Sequence, residues 1–247
     1  MWSMNENSYY KFTTSMLLVP LFAVLAIWTV FWIEVRFQVN LNYLGVYPRT
    51  IKGLAGIGLS PLIHGSLEHL YNNTIPLAIL SLAVVYFYKD AALRVFLLGV
   101  VCSGALTWVI GRPSYHIGAS GLIYALAAFI FFKGVFSKYY RLIALSLGVV
   151  FIYGSMLWYI FPIEDGISWE GHLSGFLVGL VLAKVIPTRL PSPQRYQWEK
   201  EDFNEDDDPF LKHFDADGNF METGQEQDPD DKTEIIYHYK KNPKTKD

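Results

Sequence analysis

One cysteine, Cys102, stands in a chain of 247 residues. An intramolecular disulfide is therefore impossible, and Cys102 lies inside an apolar run, where a thiol behaves as a small buried hydrophobe. Charge is scarce as well. Asp, Glu, Lys and Arg make up 17% of residues, against 52% apolar and 16% aromatic, a composition far more apolar than that of an average soluble domain. There is no basic stripe of the kind that holds nucleic acid. No cluster has metal-ligand spacing beyond the pair His64 and His69, so neither a metal nor an organic cofactor is expected.

What the chain has in abundance is apolar length. Runs of about 17–25 residues recur, the length that spans about 30 Å of hydrocarbon. They cover about 12–33, 62–88, 91–110, 117–132, 142–161 and 171–186. Six such runs predict an all-α membrane protein, a bundle of six transmembrane helices over residues 12–187, preceded by a short polar N-terminus, residues 1–11. The first run exceeds the 7–15 apolar residues of a secretory signal, and only Lys11 precedes it, so it is expected to remain as a span. Residues 34–61 form a long connection, expected to be an ordered connector or a segment at the membrane interface.

After Pro187 the composition changes. Residues 188–247 carry a net charge of −7 and the remainder +4. Prolines 187, 191 and 193 and the acidic blocks Glu199–Asp208 and Asp228–Asp231 predict a largely disordered tail. Asp215-Ala-Asp-Gly-Asn-Phe is only superficially a calcium loop, because its glycine falls too early. Six spans place both ends of the chain on one side. Lys11, Lys89, Arg94, Lys133, Lys138, Arg141, Lys184, Arg189 and Arg195 face that side, whereas the other has only Arg36, Arg49, Lys52 and Arg112. The positive-inside rule makes the terminal side cytoplasmic. His69, Asn73, Ser120 and His172 then lie at similar depth in the outer leaflet, although none of them was used to set the topology.

Polar side chains inside apolar helices are costly and mark cavities or function. Ser120 sits among Gly118, Ala119 and Gly121, which let a backbone approach its hydroxyl. A serine needs a base, and His172 at the start of the last run is the candidate. Gly171, Gly175 and Gly179 form a groove that small residues Gly121, Ala125 and Ala128 could face, bringing the two helices close. Tyr124 shares the Ser120 face and could pack on the imidazole. His69 and Asn73, spaced i, i+4, can both donate to a developing oxyanion, or else bond one another or a carbonyl and hold helices together. No acidic third member is evident.

These residues resemble the rhomboid intramembrane serine proteases. Gly118-Ala-Ser-Gly121 is similar to their GxSG nucleophile motif, with Tyr124 four residues after the serine. Gly171-His172 followed by Gly175 and Gly179 is similar to their sixth-helix pattern, and His64, His69 and Asn73 to their second-helix pattern. The resemblance covers about residues 12–187, in the same order. It implies Ser120 as nucleophile, His172 as general base and then acid, and His69, Asn73 and the Ser120 N–H as oxyanion hole. Gly118, Gly121, Tyr124, His64 and Gly175 would support them. It implies cleavage of transmembrane segments of membrane-protein partners within a lipid bilayer, in a bacterial inner or plasma membrane, with a small residue before the cleaved bond. Trp158, Tyr159, Phe161 and the loop 162–169 would then be lateral gate and cap, or else interfacial anchors. Two departures exist: Gly171 stands where many members have Ala, and the first external loop lacks a Trp-Arg pair. A silent rhomboid-like protein that binds membrane helices without cutting them is the alternative. A transporter is disfavoured, since the polar residues cluster toward one side and no inverted repeat is visible.

Overall fold

A computed structural model of the chain describes residues 9–164, 166–189, 196, 198, 202–215 and 217–221. It divides into two compact units, residues 1–193 and 194–247. The first unit is a helical bundle. Its six long helices are α1 (Leu18–Phe37), α2 (Leu67–Phe87), α3 (Ala92–Ile110), α4 (Ser120–Ser137), α5 (Tyr140–Tyr153) and α6 (Trp169–Val185). No strand forms among the described residues, only isolated bridges.

Among the described residues, five segments are long and apolar enough to cross a membrane: α1 with its preceding turn, α2, α3, α4, and α5 together with the 3-10 turn that follows it. The sixth, α6, has 17 residues, about 25 Å at 1.5 Å per residue, and lies against the bundle's central helix. Large apolar side chains such as Phe22, Leu93, Leu147 and Phe151 are exposed on the outside, where water would not tolerate so much contiguous apolar surface. The protein is an integral membrane protein.

Local chemistry sets the helix ends. α2 starts at Ser66, whose extended backbone lets its Oγ accept the His69 N–H at 3.1 Å, with Glu68 in the first turn at the positive end of the helix dipole. α1 and α4 stop at Gln38 and Lys138, both in the left-handed conformation. α5 ends earlier than its apolar run suggests: after Tyr153 the chain tightens into a seven-residue 3-10 segment, Gly154–Ile160.

α4 is the hub, packed on α2, α3, α5 and α6, and its most extensive contact is with α6. That interface is built on small residues, as expected. A Cβ on Gly175 would strike the Gly121 carbonyl oxygen, and one on Gly179 would strike that of Ala125 and lie 2.7 Å from the Ala128 Cβ. The two backbones therefore touch. On the opposite flank α1 packs on α2, and Trp28 Nε1 donates to Thr74 Oγ1 at 3.0 Å. At the end remote from Ser120, Lys133 Nζ donates to the Ala183 and Ile186 carbonyls and closes the C-terminus of α6.

The connection between α1 and α2 is ordered, with short helical turns at Asn42–Leu44, Lys52–Leu54, Gly56–Leu59 and Ser60–Leu62. It is pinned to the α3–α4 connector, where Val46 and His116 exchange backbone hydrogen bonds at 3.0 and 2.8 Å, and to the end of α3, where Trp108 Nε1 donates to Thr50 O at 2.9 Å. The connector carrying Ser120 is thus fixed from outside the bundle.

In the second unit, 3-10 turns at Glu205–Asp207 and Leu211–His213 precede an isolated Phe214–Phe220 bridge. Asp215 accepts from the backbone N–H groups of Asp217 and Asn219. This local order was not evident from the acidic composition. The Asp228–Asp231 block lies outside the described residues.

Candidate active site

Ser120 is the first residue of α4 and is half-buried. Its approach is shaped by Gly118, whose φ of 104° places it in the region that favours glycine, and whose N–H donates to Ser60 O at 2.9 Å. A side chain there is excluded twice over. Its Cβ would lie 2.5 Å from His69 Nε2 and 3.5 Å from Asn73 Nδ2. Both second-helix donors consequently converge on the backbone two residues before Ser120. Asn73 is buried and already spends one N–H on the His69 carbonyl at 3.1 Å, leaving its second N–H and the His69 ring to face the glycine.

His172 occupies the first turn of α6 and is buried. Its ring stacks on Tyr124, with centroids 4.3 Å apart and planes 9° from parallel. His172 Nδ1 lies 3.0 Å from the Tyr159 carbonyl oxygen. A carbonyl can only accept, so Nδ1 carries the proton in the neutral ring and Nε2 keeps its lone pair. The arrangement holds His172 in the tautomer of a base. Ser120 Oγ and His172 are not hydrogen-bonded to one another, although the Gly121–Gly175 contact joins their helices close by. Loose hydrogen bonds are common in unliganded catalytic sites and tighten on binding.

A polar cavity of about 30 Å³ adjoins Ser120, lined also by Ser103, Thr107, His116, Ser168 and Gly171. Its size admits a water or two. The remaining supporting residue, His64, is buried beside His69 with ring centroids 5.0 Å apart.

One group was missed in the sequence. Glu170, two residues before the histidine, is buried, with 1% of its surface exposed. Its Oε1 accepts the Arg112 backbone N–H at 3.1 Å and lies 3.7 Å from Arg112 Nε. Arg112 also donates to Ile167 O at 2.6 Å. His116 Nε2 faces the Arg112 carbonyl at 3.1 Å and Nδ1 faces Ser168 Oγ at 2.5 Å, and that same oxygen accepts the Gly171 N–H to cap α6. By the acceptor logic applied to His172, His116 holds its proton on Nε2, and its Nδ1 accepts a hydrogen bond from the Ser168 hydroxyl. Burial pushes the His116 pKa below its ordinary value, partly opposed by the Arg112 carbonyl and Glu170. The signal available was a Ser N-cap followed by an acidic residue in the first turn. Its burial was not readable, because Arg112 comes from 58 residues away. No cluster of three or more metal-binding side chains occurs among the described residues.

A family model described as a Rhomboid domain matches residues 53–189, more than half of the chain. Uncharacterised proteins of Mycobacterium tuberculosis and Mycobacterium bovis are each 37% identical over 169 residues, covering 63% of this chain and 67% of their own. An uncharacterised protein of Mycobacterium leprae is 34% identical over 152 residues, 58% of either chain.

Proposed function

From the premise that this chain belongs to the rhomboid family, whose members act on membrane-embedded helices, we propose that it is an active intramembrane serine endopeptidase. The observation that carries the reading is the state of His172: stacked on Tyr124 and bonded through Nδ1 to the Tyr159 carbonyl, with Nε2 left free to accept. In this reading Nε2 takes the Ser120 proton as Oγ attacks the substrate carbonyl carbon. The oxyanion receives hydrogen bonds from the Ser120 N–H and from His69 Nε2 and Asn73 Nδ2, the two side-chain groups that converge on Gly118. His172 then protonates the leaving amine, and a water activated by the same nitrogen releases the acyl group. The small cavity beside Ser120 supports a local supply of that water.

A helical substrate hides its carbonyls, so cleavage favours transmembrane segments that unwind readily, with a small residue before the cut bond. Trp158, Tyr159, Phe161 and the loop 162–169 form the lateral gate and cap. Both termini face the cytoplasm of a bacterial inner or plasma membrane, as the distribution of Lys and Arg supports.

The test is reconstitution in lipid vesicles with a single-span substrate containing Gly and Pro. Wild type is expected to yield two fragments and Ser120→Ala none. Fragments of equal yield from both proteins would refute the assignment. The second reading, a helix-binding protein without activity, draws on the missing Ser120–His172 hydrogen bond. It predicts co-purification of the substrate with wild type, uncut.

A further inference from the structure

Two hydrogen bonds tie the segment after α5 to the candidate dyad, and they close a ring of constraints. Tyr124 Oη donates to the Met156 carbonyl at 2.7 Å, and the Tyr159 carbonyl faces His172 Nδ1 at 3.0 Å. Met156 and Tyr159 both belong to the 3-10 segment Gly154–Ile160, while Tyr124 and His172 are stacked on each other. A seven-residue 3-10 run is unusually long, and such runs mark hinges or strain. None of its residues is buried, and Leu157, Trp158 and Tyr159 are exposed. Its inner side is poorly packed: an apolar cavity of about 130 Å³ lies between it, α4 and α5, with Phe176 of α6 at one side, lined by Tyr124, Ala127, Phe131, Val149 and Leu157 among others. Apart from Met156, side-chain packing thus does little to fix this strap, and the two bonds, one from Tyr124 and one from His172, do much.

We infer that the Gly154–Ile160 strap is a positioning device for the base, and that the Tyr124 hydroxyl acts through it. Tyr124 would have two separable functions. Its ring orients the imidazole by stacking. Its hydroxyl holds Met156, hence the strap, hence the Tyr159 carbonyl that keeps the proton on Nδ1. Movement of the strap would release that carbonyl, let the proton move to Nε2, and silence the base. Strap position and catalytic competence are then one equilibrium, so that whatever displaces this segment from the lipid side also sets the activity. The inference rests on the protease reading for its consequence, while its structural content concerns the His172 tautomer alone.

The test uses the full chain in detergent, with 15N-labelled histidine. The six histidines are distinguished by the signal lost in His172→Asn. Tyr124→Phe keeps the ring and removes the hydroxyl. Ala127→Leu fills the cavity from α4 and touches neither bond. Wild-type His172 is expected to be neutral and protonated on Nδ1 above pH 7.5. Either variant, folded by its thermal midpoint, is expected to show mixed tautomers. Labelling by a fluorophosphonate should also be roughly fivefold slower, the factor that one neutral hydrogen bond corresponds to. Wild type protonated on Nε2, or folded variants with unchanged tautomer and rate, would overturn the inference. Should one variant not fold, the other carries the test. Wild type that is protonated on Nδ1 yet never labels, with mixed tautomers in the variants, would sink the protease reading and support the strap.

Discussion

α5 and α6 flank the same helix, and the strap that ends α5 meets it in a different way from α6. α6 meets α4 through glycines, with carbonyl oxygens of one backbone resting where a Cβ of the other would sit. α5 starts in a similar way, with the Leu142 carbonyl where a Cβ on Gly134 would sit and Ser146 Oγ 2.9 Å from the Phe131 carbonyl, but its far end and the strap meet α4 over an apolar cavity and through one tyrosine hydroxyl. Contact between backbones cannot relax without moving whole helices, whereas a hydrogen bond to a surface segment can open. The half of the bundle that carries Ser120 and His172 is therefore the rigid one by packing, and the strap beside it is held by far less. A site that must hold two side chains in register and still admit a helix from the bilayer needs both.

The largest effects should come from the rigid half. Ser120→Ala and His172→Ala are each expected to reduce cleavage by roughly 10⁴-fold or more, measured as fragment yield in vesicles, with the fold unchanged. His69→Ala and Asn73→Ala should each cost about 10²–10³ in kcat with little change in KM, since both groups are assigned to the oxyanion. An equal rise in KM with kcat preserved would place them in substrate binding instead.

The packing contrast can be broken directly. Gly175→Val sets a side chain against the Gly121 carbonyl, an obstacle that cannot swing aside, and is expected to lose about 1–3 kcal/mol or more. Leu147→Ala on the exposed face of α5 should change stability by less than about 0.5 kcal/mol. Comparable thermal shifts in the two would show that the α4–α6 seam is no more rigid than the rest.

A smaller effect is expected from pH. Burial lowers the His116 pKa, so the unfolded chain binds more protons there than the folded one, and stability rises with pH across that interval. The contribution is complete above about pH 6.5, the ordinary histidine value, and is lost as pH falls below it. The thermal midpoint of wild type should fall on acidification from pH 7 to 5, and that of His116→Gln should fall less. Equal slopes would remove His116 from the account.

Most of the bundle was legible from apolar run length, because a helix is the local solution to burying a backbone in lipid. The groove on α6 was legible too, since Gly171, Gly175 and Gly179 recur at helical spacing, and their partners Gly121, Ala125 and Ala128 do likewise. What could not be read were properties that depend on distant partners. The early end of α5 at Tyr153 owes nothing to a proline or a capping residue. It accompanies bonds to Tyr124 and His172, 32 and 13 residues away from their acceptors. The burial of Glu170 depends on Arg112, and the aim of His69 and Asn73 at Gly118 depends on a left-handed turn in another connector. A position may advertise its polarity in sequence without advertising what it faces.

The most direct test of the central claim, that Ser120 is a nucleophile activated by His172, is labelling of purified wild type by a fluorophosphonate alongside Ser120→Ala and His172→Ala. The account predicts one covalent adduct on Ser120 in wild type and none in either variant. Folded wild type that neither labels nor cleaves, or an adduct that persists in Ser120→Ala, would contradict it.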